Sequence, residues 1–535
     1  MTPKLITFNN EAREKLLKGV NILAEAVAST LGPKGQNVAL DMEWDQPKVV
    51  HDGVTVAREI DLPDPFENMG AQLVKGAAQR TNDVAGDGTT TATILAQSIV
   101  NDGAREVKRG ANPMILKQGI DWASEIVVEG LKQLSKPVTP TDYEKVATIS
   151  AQNLKIGKII AEAVNKVGKD GVITVEEGND FETTLEVKEG MEFDKGYISP
   201  FFMTNTDTME ANIRDAYILL ADFRIYSQQE IIAFLENFIK VSKDLVIIAE
   251  SVEGEALRFL VTNRIKGHLN VLCIKSPGFG ERRKDWLRDI AFLTGAKLLS
   301  DESGKSLANV KIEDLGRATL VTSDKESTII VGGKGKKKEI EKRVKQMKVE
   351  LKKARNQHEK DLIQERLAKM TGGVAVITAG AATELEMREN KERIIDAVNA
   401  TQSAIDEGVV PGGEVALLYA GTSLVEPINS LPKGDFKTGA NIVASALYKP
   451  FYRLITNSGY SQKQVQRLLG TDMAYGEPNR VGFDVMSGQV VDMLGAGIID
   501  PVKVTRNALL NASSVAGIIL TTNTLVTPIK EKKHD

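Results

Sequence analysis

Leu16, Val20, Leu23, Val27 and Leu31 recur at steps of three and four residues, the spacing of one apolar helix face. Gly32-Pro33 ends that pattern. A short strand is expected from Gln36 to Asp41. A second extended stretch is expected from Pro47 to Ile60, turning at Asp52-Gly53, and a helix from Phe66 to Thr81. In the middle of the chain the pattern changes. The apolar runs Leu245–Ala249 and Val271–Ile274 alternate with helical segments at Glu253–Ile265 and Glu281–Thr294, which argues for a separate α/β domain. After Gly372-Gly373 the pattern reads as largely helical again. The chain thus leaves a helical domain, builds an α/β one and returns. Gly190 and Gly372-Gly373 serve equally well as hinges or as plain turns. There is no internal repeat. Asp52-Gly53-Val54 and Asp170-Gly171-Val172 look like two unrelated strand starts.

The 535 residues exceed one core and suggest about three to four domains. Apolar residues make up 42% and charged residues 26%, as in a soluble globular protein. A formal net charge of -4 gives no global pull toward nucleic acid or anionic membrane. No long uninterrupted apolar window and no apolar leader segment are seen, so a cytoplasmic location is expected. The single cysteine, Cys273, lies in an apolar run and reads as a small buried hydrophobe. Four scattered histidines and one cysteine do not suggest zinc. Residues 334–369 are rich in lysine and arginine, with Ile340, Val344, Met347, Leu351 and Ala354 at heptad spacing. Interleaved glutamates favour a solvated helix with one packed seam over a nucleic-acid-binding helix.

The densest chemical signal is Gly86-Asp87-Gly88-Thr89-Thr90-Thr91 ahead of a helical stretch. Glycines let the backbone approach an anion, a helix N-terminus adds partial positive charge, and threonines supply hydroxyls. An aspartate beside phosphates implies a cation between them, so Asp87 suggests magnesium. The same residues serve equally well as an ordinary capped helix start. The run is not a P-loop, because no Gly-Lys-Ser/Thr follows at the required spacing.

Long motifs occur in one order nearly end to end. They include Thr30-Leu31-Gly32-Pro33-Lys34-Gly35, Phe66 to Ala71, Asn82 to Thr91, Gly190 to Asp194, Val252 to Leu257, Pro277 to Gly280, Gly372 to Val376, Gly380 to Glu384 and Asp500 to Arg506. On these the chain closely resembles a group I chaperonin of the GroEL type. The resemblance implies a multidomain fold. A helical equatorial domain spans 1–133 and 407–535, a small α/β intermediate domain 134–188 and 375–406, and an α/β apical domain 189–374. It also implies an ATP-driven folding machine that encloses non-native proteins, a homo-oligomer of two stacked seven-membered rings, and a small co-chaperonin. The cofactors are ATP, Mg2+ and K+.

The resemblance carries over to residues as follows. Thr30, Leu31, Gly32 and Pro33 wrap the phosphates and base edge. Asp87 holds magnesium, with Gly88, Thr89, Thr90 and Thr91 around the phosphates. Gly413 lies near ribose and base, Asp500 accepts from the ribose hydroxyls, and Asp484, Val485 and Met486 lie near the adenine. Asp52 and Asp396 flank the attacking water, where a carboxylate orients it and accepts its proton. Asp396, which read alone is a helix-surface acid, reaches the nucleotide only when the intermediate domain swings down. Clients bind at Tyr197, Phe201, Phe202, Ile232, Leu235, Leu257, Val261 and Thr262. The spacing of Ile232, Leu235, Leu257 and Val261 alone reads as ordinary helix core.

Several positions depart from the family pattern. His51 stands in place of a lysine, which removes a fixed positive charge near the phosphates. Phe483 and Asp484 replace a tyrosine and an asparagine, Pro411 and Glu414 alter a glycine-rich stretch, and Thr262 is more polar than usual. A short charged tail follows Pro528 where the family has a Gly-Gly-Met repeat, so a cavity-floor role of that repeat is not expected. Two other functional classes make different demands on the sequence. A small-substrate ATP-using enzyme requires a second catalytic constellation in 189–374, and none is seen. A nucleic-acid-binding scaffold requires the basic stretch 334–369 to be a free face.

Overall fold

A computed structural model describes residues 3–41, 48–50, 52–169, 171–178, 180–206, 208–300, 307–354, 356–472 and 480–528. His51, Asp170 and the tail after Pro528 lie outside the described residues. The chain forms two compact units. One comprises Met1–Ala161, Glu177–Glu182 and Ala379–Asp535, and the other Glu162–Glu176 and Thr183–Thr378. Among the described residues no helix is long and apolar enough to cross a membrane.

The first unit is built from long helices, among them Asn9–Ala28, Pro65–Ala85, Thr89–Lys108, Pro113–Leu134, Asp435–Ala446 and Val502–Thr521. Their starts follow local chemistry. The Asp64 carboxylate accepts the N–H groups of Phe66 and Glu67, and Pro65 fills the first helical position. Asn112 and Pro113 play the same parts at the next long helix. The expected apolar stripe becomes core: Leu16, Val20, Leu23 and Val27 are fully buried, together with Val74, Leu95, Ile99, Leu116, Ile120 and Leu509.

Glycine pairs set how closely these helices approach. A Cβ on Gly19 would lie 1.7 Å from the Glu67 carbonyl oxygen, and one on Gly70 would lie 2.1 Å from that of Leu16. The Asn9–Ala28 and Pro65–Ala85 helices therefore cross backbone to backbone. Gly119 and Gly439 repeat the device between Pro113–Leu134 and Asp435–Ala446, where added Cβ atoms would meet carbonyl oxygens of Phe436 and Leu116 at 2.0 and 2.2 Å. Short strands close the unit. Lys4–Phe8 pairs antiparallel with Thr524–Pro528, and Val409–Pro411 with Ile499–Pro501.

One expectation for this unit needs correction. The stretch after Asp52 is not extended: Gly53–Glu59 is a helix. Val54, Thr55 and Val56 suggest a strand by their branching, but the Asp52 carboxylate accepts the N–H groups of Val54 and Thr55 and fixes a helix start. Beyond Ala379 the unit is largely helical, as expected, with short strands between the helices, such as the hairpin Val481–Asp484 with Gln489–Asp492.

The second unit is the expected α/β body. Strands Tyr217–Ile225, Asp244–Val252 and Asn270–Lys275 run parallel, and Gly316–Ser323, Thr328–Gly333 and Gly190–Phe193 extend the sheet antiparallel. Helices Gln228–Phe238, Gly254–Ile265 and Glu281–Thr294 belong to the same body. Cys273 is fully buried in the central sheet, and burial pushes its thiol far above the ordinary range, so it does not serve as a nucleophile.

The basic stretch forms two helices, Lys337–Lys353 and Gln357–Thr371. Ile340 and Met347 are buried as the heptad spacing required. Two arginines also face inward. Arg343 Nε and Arg366 Nε each donate at 2.7 Å to the fully buried Asp289 carboxylate, one to each oxygen. This part of the positive charge is spent inside the protein.

Gly70→Ala is expected to force the first helix crossing apart and destabilise the protein by about 1–3 kcal/mol. Gly76→Ala, where an added Cβ meets nothing within 4 Å, is the control. Chemical denaturation of the two variants checks this, and equal midpoints would refute the close-crossing account.

Candidate functional site

The threonine run opens a helix as expected, and two glycines make its entry possible. Gly86 ends the Pro65–Ala85 helix in the left-handed conformation (φ 71°), its N–H bonded to the Asn82 carbonyl. A Cβ there would lie 2.1 Å from that of Asn399. Gly88 is left-handed too (φ 82°), and its Cβ would meet Val504 Cγ1 at 2.6 Å. Helix Thr89–Lys108 begins at Gly88 with no side-chain cap. Its first-turn N–H groups and positive dipole end are left for another acceptor.

The loop after the first helix comes to the same place. Thr30 Oγ1 donates to the Val27 carbonyl at 2.8 Å and lies 3.3 Å from Thr90 Oγ1. Gly32 (φ 85°) passes against Leu454, Gly35 N–H bonds Gly32 O, and Asn457 Nδ2 donates to the carbonyls of Ala28 and Leu31. Gly53 abuts the hydroxyls of Thr89 and Thr90. Thr30, Thr89 and Thr91 are buried and Pro33 is exposed.

Five acidic residues act on one another here: Asp52, Asp87, Asp396, Glu414 and Asp500. Asp52 is held by three donors, the N–H groups of Val54 and Thr55 and the Thr55 hydroxyl at 2.8 Å. Burial raises the Asp87 carboxyl above its ordinary range and the Asp52 charge adds to this. The Gly88 N–H, 2.5 Å away, opposes the rise. Ser150 Oγ, buried and with no partner at hydrogen-bond distance, faces Asp87 from farther off and also pulls it down. Asp396, on helix Glu384–Glu407, is raised well above the carboxylate range by burial, then by Asp52, Asp87 and Glu392. The resemblance implies that Asp396 reaches the nucleotide only when the intermediate domain swings down. Asp396 shares the compact unit of Asp52 and Asp87 and already feels their charges.

Asp500 lies on the strand paired with Val409–Pro411, opposite Val410. Burial and Asp87 raise it to about 7, against the N–H groups of Glu414 and Gly413, which favour its charged form. Glu414, treated from sequence only as a departure, is a member of the site. It is hydrogen-bonded to the Thr91 hydroxyl, and burial followed by Asp500 raises its carboxyl to about 8.

The positions expected near the adenine fall at the hairpin Val481–Asp484/Gln489–Asp492. Asp484 spends its carboxylate on its own turn, accepting from Met486 N–H, Ser487 N–H and the Ser487 hydroxyl at 2.8, 3.3 and 2.6 Å. Phe483 is buried edge-on to Tyr460, Val485 is buried, and Met486 is exposed. Lys34, whose role the sequence did not disclose, donates to the Val485 carbonyl at 2.6 Å and lies over the Tyr460 ring. It ties the hairpin to the loop of residues 30–36.

Among the described residues no three His, Cys, Asp or Glu side chains stand ready to hold a metal together. The donor set nevertheless suits a metal–polyphosphate. Carboxyls this crowded accept a cation readily, while the open helix end and the threonine hydroxyls accept an anion beside it.

The expected client positions fall in the second unit and divide in two. Phe202 and Leu235 are core residues and Tyr197 is 9% exposed, so in this conformation none of the three offers a contact face. Phe202 and Leu235 pack with Phe234 and Phe238 in one apolar cluster. Phe201 (66% exposed) and Thr262 are on the surface, with Ile232, Leu257 and Val261 half-buried. Ile265, missed from the sequence, is 67% exposed. It shares with Phe201 and Met203 a groove of about 390 Å³.

Two solved structures are similar across the chain. Both are of the chaperonin gp146 from the bacteriophage EL 2 (Pseudomonas aeruginosa), crystallised in the presence of ATP-BeFx. One matches with a TM-score of 0.71 and 22% identity over 99% of this chain and 100% of that one. The other crystal form matches at 0.65 and 22%, over 98% and 99%. At this identity the likeness shows the fold. The family model of the TCP-1/cpn60 chaperonins matches residues 23–530, and the chain belongs to that family.

Proposed function

We propose that this protein hydrolyses ATP to drive the capture, enclosure and release of non-native proteins. The observation that carries the nucleotide half is the uncapped start of helix Thr89–Lys108 between Gly86, Asp87 and Gly88, facing Thr30 and ringed by acids. In this reading the helix end and the threonine hydroxyls bind the polyphosphate. Asp87 would hold Mg2+ together with phosphate oxygens, and the metal would offset charge developing on the transferred phosphoryl group. Asp52, fixed by its three donors, orients the attacking water. Asp396 accepts the proton, and it can do so only once the neighbouring negative charge has been neutralised, because that charge and burial keep it protonated otherwise. Hydrolysis thus waits for a complete site. Gly413 and Asp500 face the ribose, and the loop of residues 30–36 together with the 481–492 hairpin encloses the base. K+, the seven-membered double ring, the three-domain division, the co-chaperonin and a cytoplasmic location belong to the same proposal.

The client half rests on exposed apolar surface in the second unit. Phe201, Ile265, Ile232, Leu257 and Val261 present contacts that bury extended apolar segments without sequence preference, at about 25 cal/mol per Å². A ring of such surfaces gains by multivalency.

Asp396→Ala is expected to bind ATP normally and to lose hydrolysis by about a hundredfold or more. Single-turnover phosphate release checks it, and a wild-type rate would remove Asp396 from the chemistry. Phe201→Glu combined with Ile265→Glu is expected to abolish suppression of aggregation of a denatured test protein, read by light scattering. Undiminished suppression would place the client surface elsewhere. The native mass, measured with and without ATP, is expected to be a large multiple of the subunit. A lone subunit in both conditions would defeat the enclosure proposal.

A further inference from the structure

Glu414 is unusual in both backbone and side chain. It follows Gly412-Gly413 and starts the helix Val415–Gly421 with φ 65° and ψ 3°, a left-handed conformation that residues bearing a Cβ avoid. Strain of this kind persists where the surroundings fix it, and it gathers at functional sites. The side chain does not leave for solvent. It reaches the first turn of helix Thr89–Lys108 and is hydrogen-bonded to the Thr91 hydroxyl. The charged groups facing it are both acids: Asp500 from strand Ile499–Pro501 and Asp87 from the turn before the threonines. Asp500 in turn takes the backbone N–H groups of Gly413 and Glu414. One strained residue therefore joins the turn assigned to the ribose to the turn assigned to the phosphates.

We propose that Glu414 is a positioning residue of the nucleotide site whose charge state sets how strongly a polyphosphate is held, so that affinity for nucleotide falls as the solution becomes alkaline. The proposal rests on the nucleotide reading above. Its geometry is the Thr91 contact together with the two facing carboxylates. The sign follows from the same groups. Burial and Asp500 raise the Glu414 carboxyl to about 8, so at neutral pH it is uncharged and shares a hydrogen with Thr91. Above that pH it gains a negative charge beside Thr91, where the polyphosphate is placed. An anion binds the protonated form better, so binding is linked to proton uptake and weakens as pH rises. Asp500, raised to about 7, produces a similar fall about one unit lower, which does not depend on Glu414 being ionisable.

The test is calorimetric titration of the full-length protein with Mg·ATP at constant ionic strength from about pH 6.5 to 9. The wild type, E414Q and E414G are compared. Wild-type affinity is expected to fall by up to about tenfold between pH 8 and 9, the limit for linkage to one proton. E414Q is expected to stay nearly level over that interval and to keep only the decline near pH 7. E414G removes both the carboxyl and the left-handed Cβ. It is expected to be equally level, and it carries the test if E414Q does not fold. The same steep fall in wild type and in the folded variants would overturn the role of Glu414. Absence of ATP binding by the wild type at every pH would instead overturn the nucleotide reading on which it rests.

Discussion

Negative charge crowded at an uncapped helix end governs the first unit. Asp52, Asp87, Asp396, Glu414 and Asp500 come from five separate stretches of the chain. Burial first, and then one another's charge, displaces Asp87, Asp396, Glu414 and Asp500 toward their protonated forms. A cation relieves that repulsion and an anion satisfies the helix end, so the site suits a ligand that brings both. The helix crossings maintain this crowding. Gly19 with Gly70, and Gly119 with Gly439, let backbones touch, and a side chain at any of these points would push neighbouring helices apart.

The hydrophobic pattern disclosed the elements wherever burial followed a single period. Leu16 to Val27 lie on one face and are core, and the Glu281–Thr294 helix is found with the expected ends. The pattern misled where capping outweighed propensity. Val54-Thr55-Val56 favours a strand by branching, yet the two N–H groups taken by Asp52 start a helix. Position along a seam also fails to disclose which long polar residues turn inward. Arg343 and Arg366 read as part of a solvated basic face, but both reach the buried Asp289. Seeing that requires knowing that two segments 23 residues apart flank one helix, which no local period records.

For the site, the glycine–threonine run was legible because its chemistry is local: backbone freedom, hydroxyls and an acid within six residues. Asp396 and Asp500 had no local signal, and only the family resemblance singled them out. Glu414 was visible as a departure but not as a participant, because its partner Thr91 is 323 residues away in sequence. Lys34 stood inside a quoted motif, yet its contact with the Val485 carbonyl depends on a hairpin 451 residues later. The apolar client positions were singled out only by the family resemblance, and their exposure had no local signal. Spacing on helices Gln228–Phe238 and Gly254–Ile265 does not distinguish the buried Leu235 from the half-buried Ile232, Leu257 and Val261.

The acids also tie function to stability through protons. A carboxyl that holds its proton more tightly folded than unfolded contributes stability that is fully present below its unfolded value, near 4, and that is lost as pH rises through its folded value. For Asp500 and Glu414 that loss extends to about 7 and about 8. These two buried carboxyls therefore weaken the first unit toward alkaline pH, through burial first and the neighbouring acids second. In the proposed reading, a cation that offsets the charge of these acids restores part of the lost stability and lets Asp396 give up its proton and act as the base. In the proposed reading, affinity, pH response and readiness for hydrolysis draw on one electrostatic arrangement, each through different members of the set: Glu414 and Asp500 for affinity and its pH response, Asp396 for the chemical step.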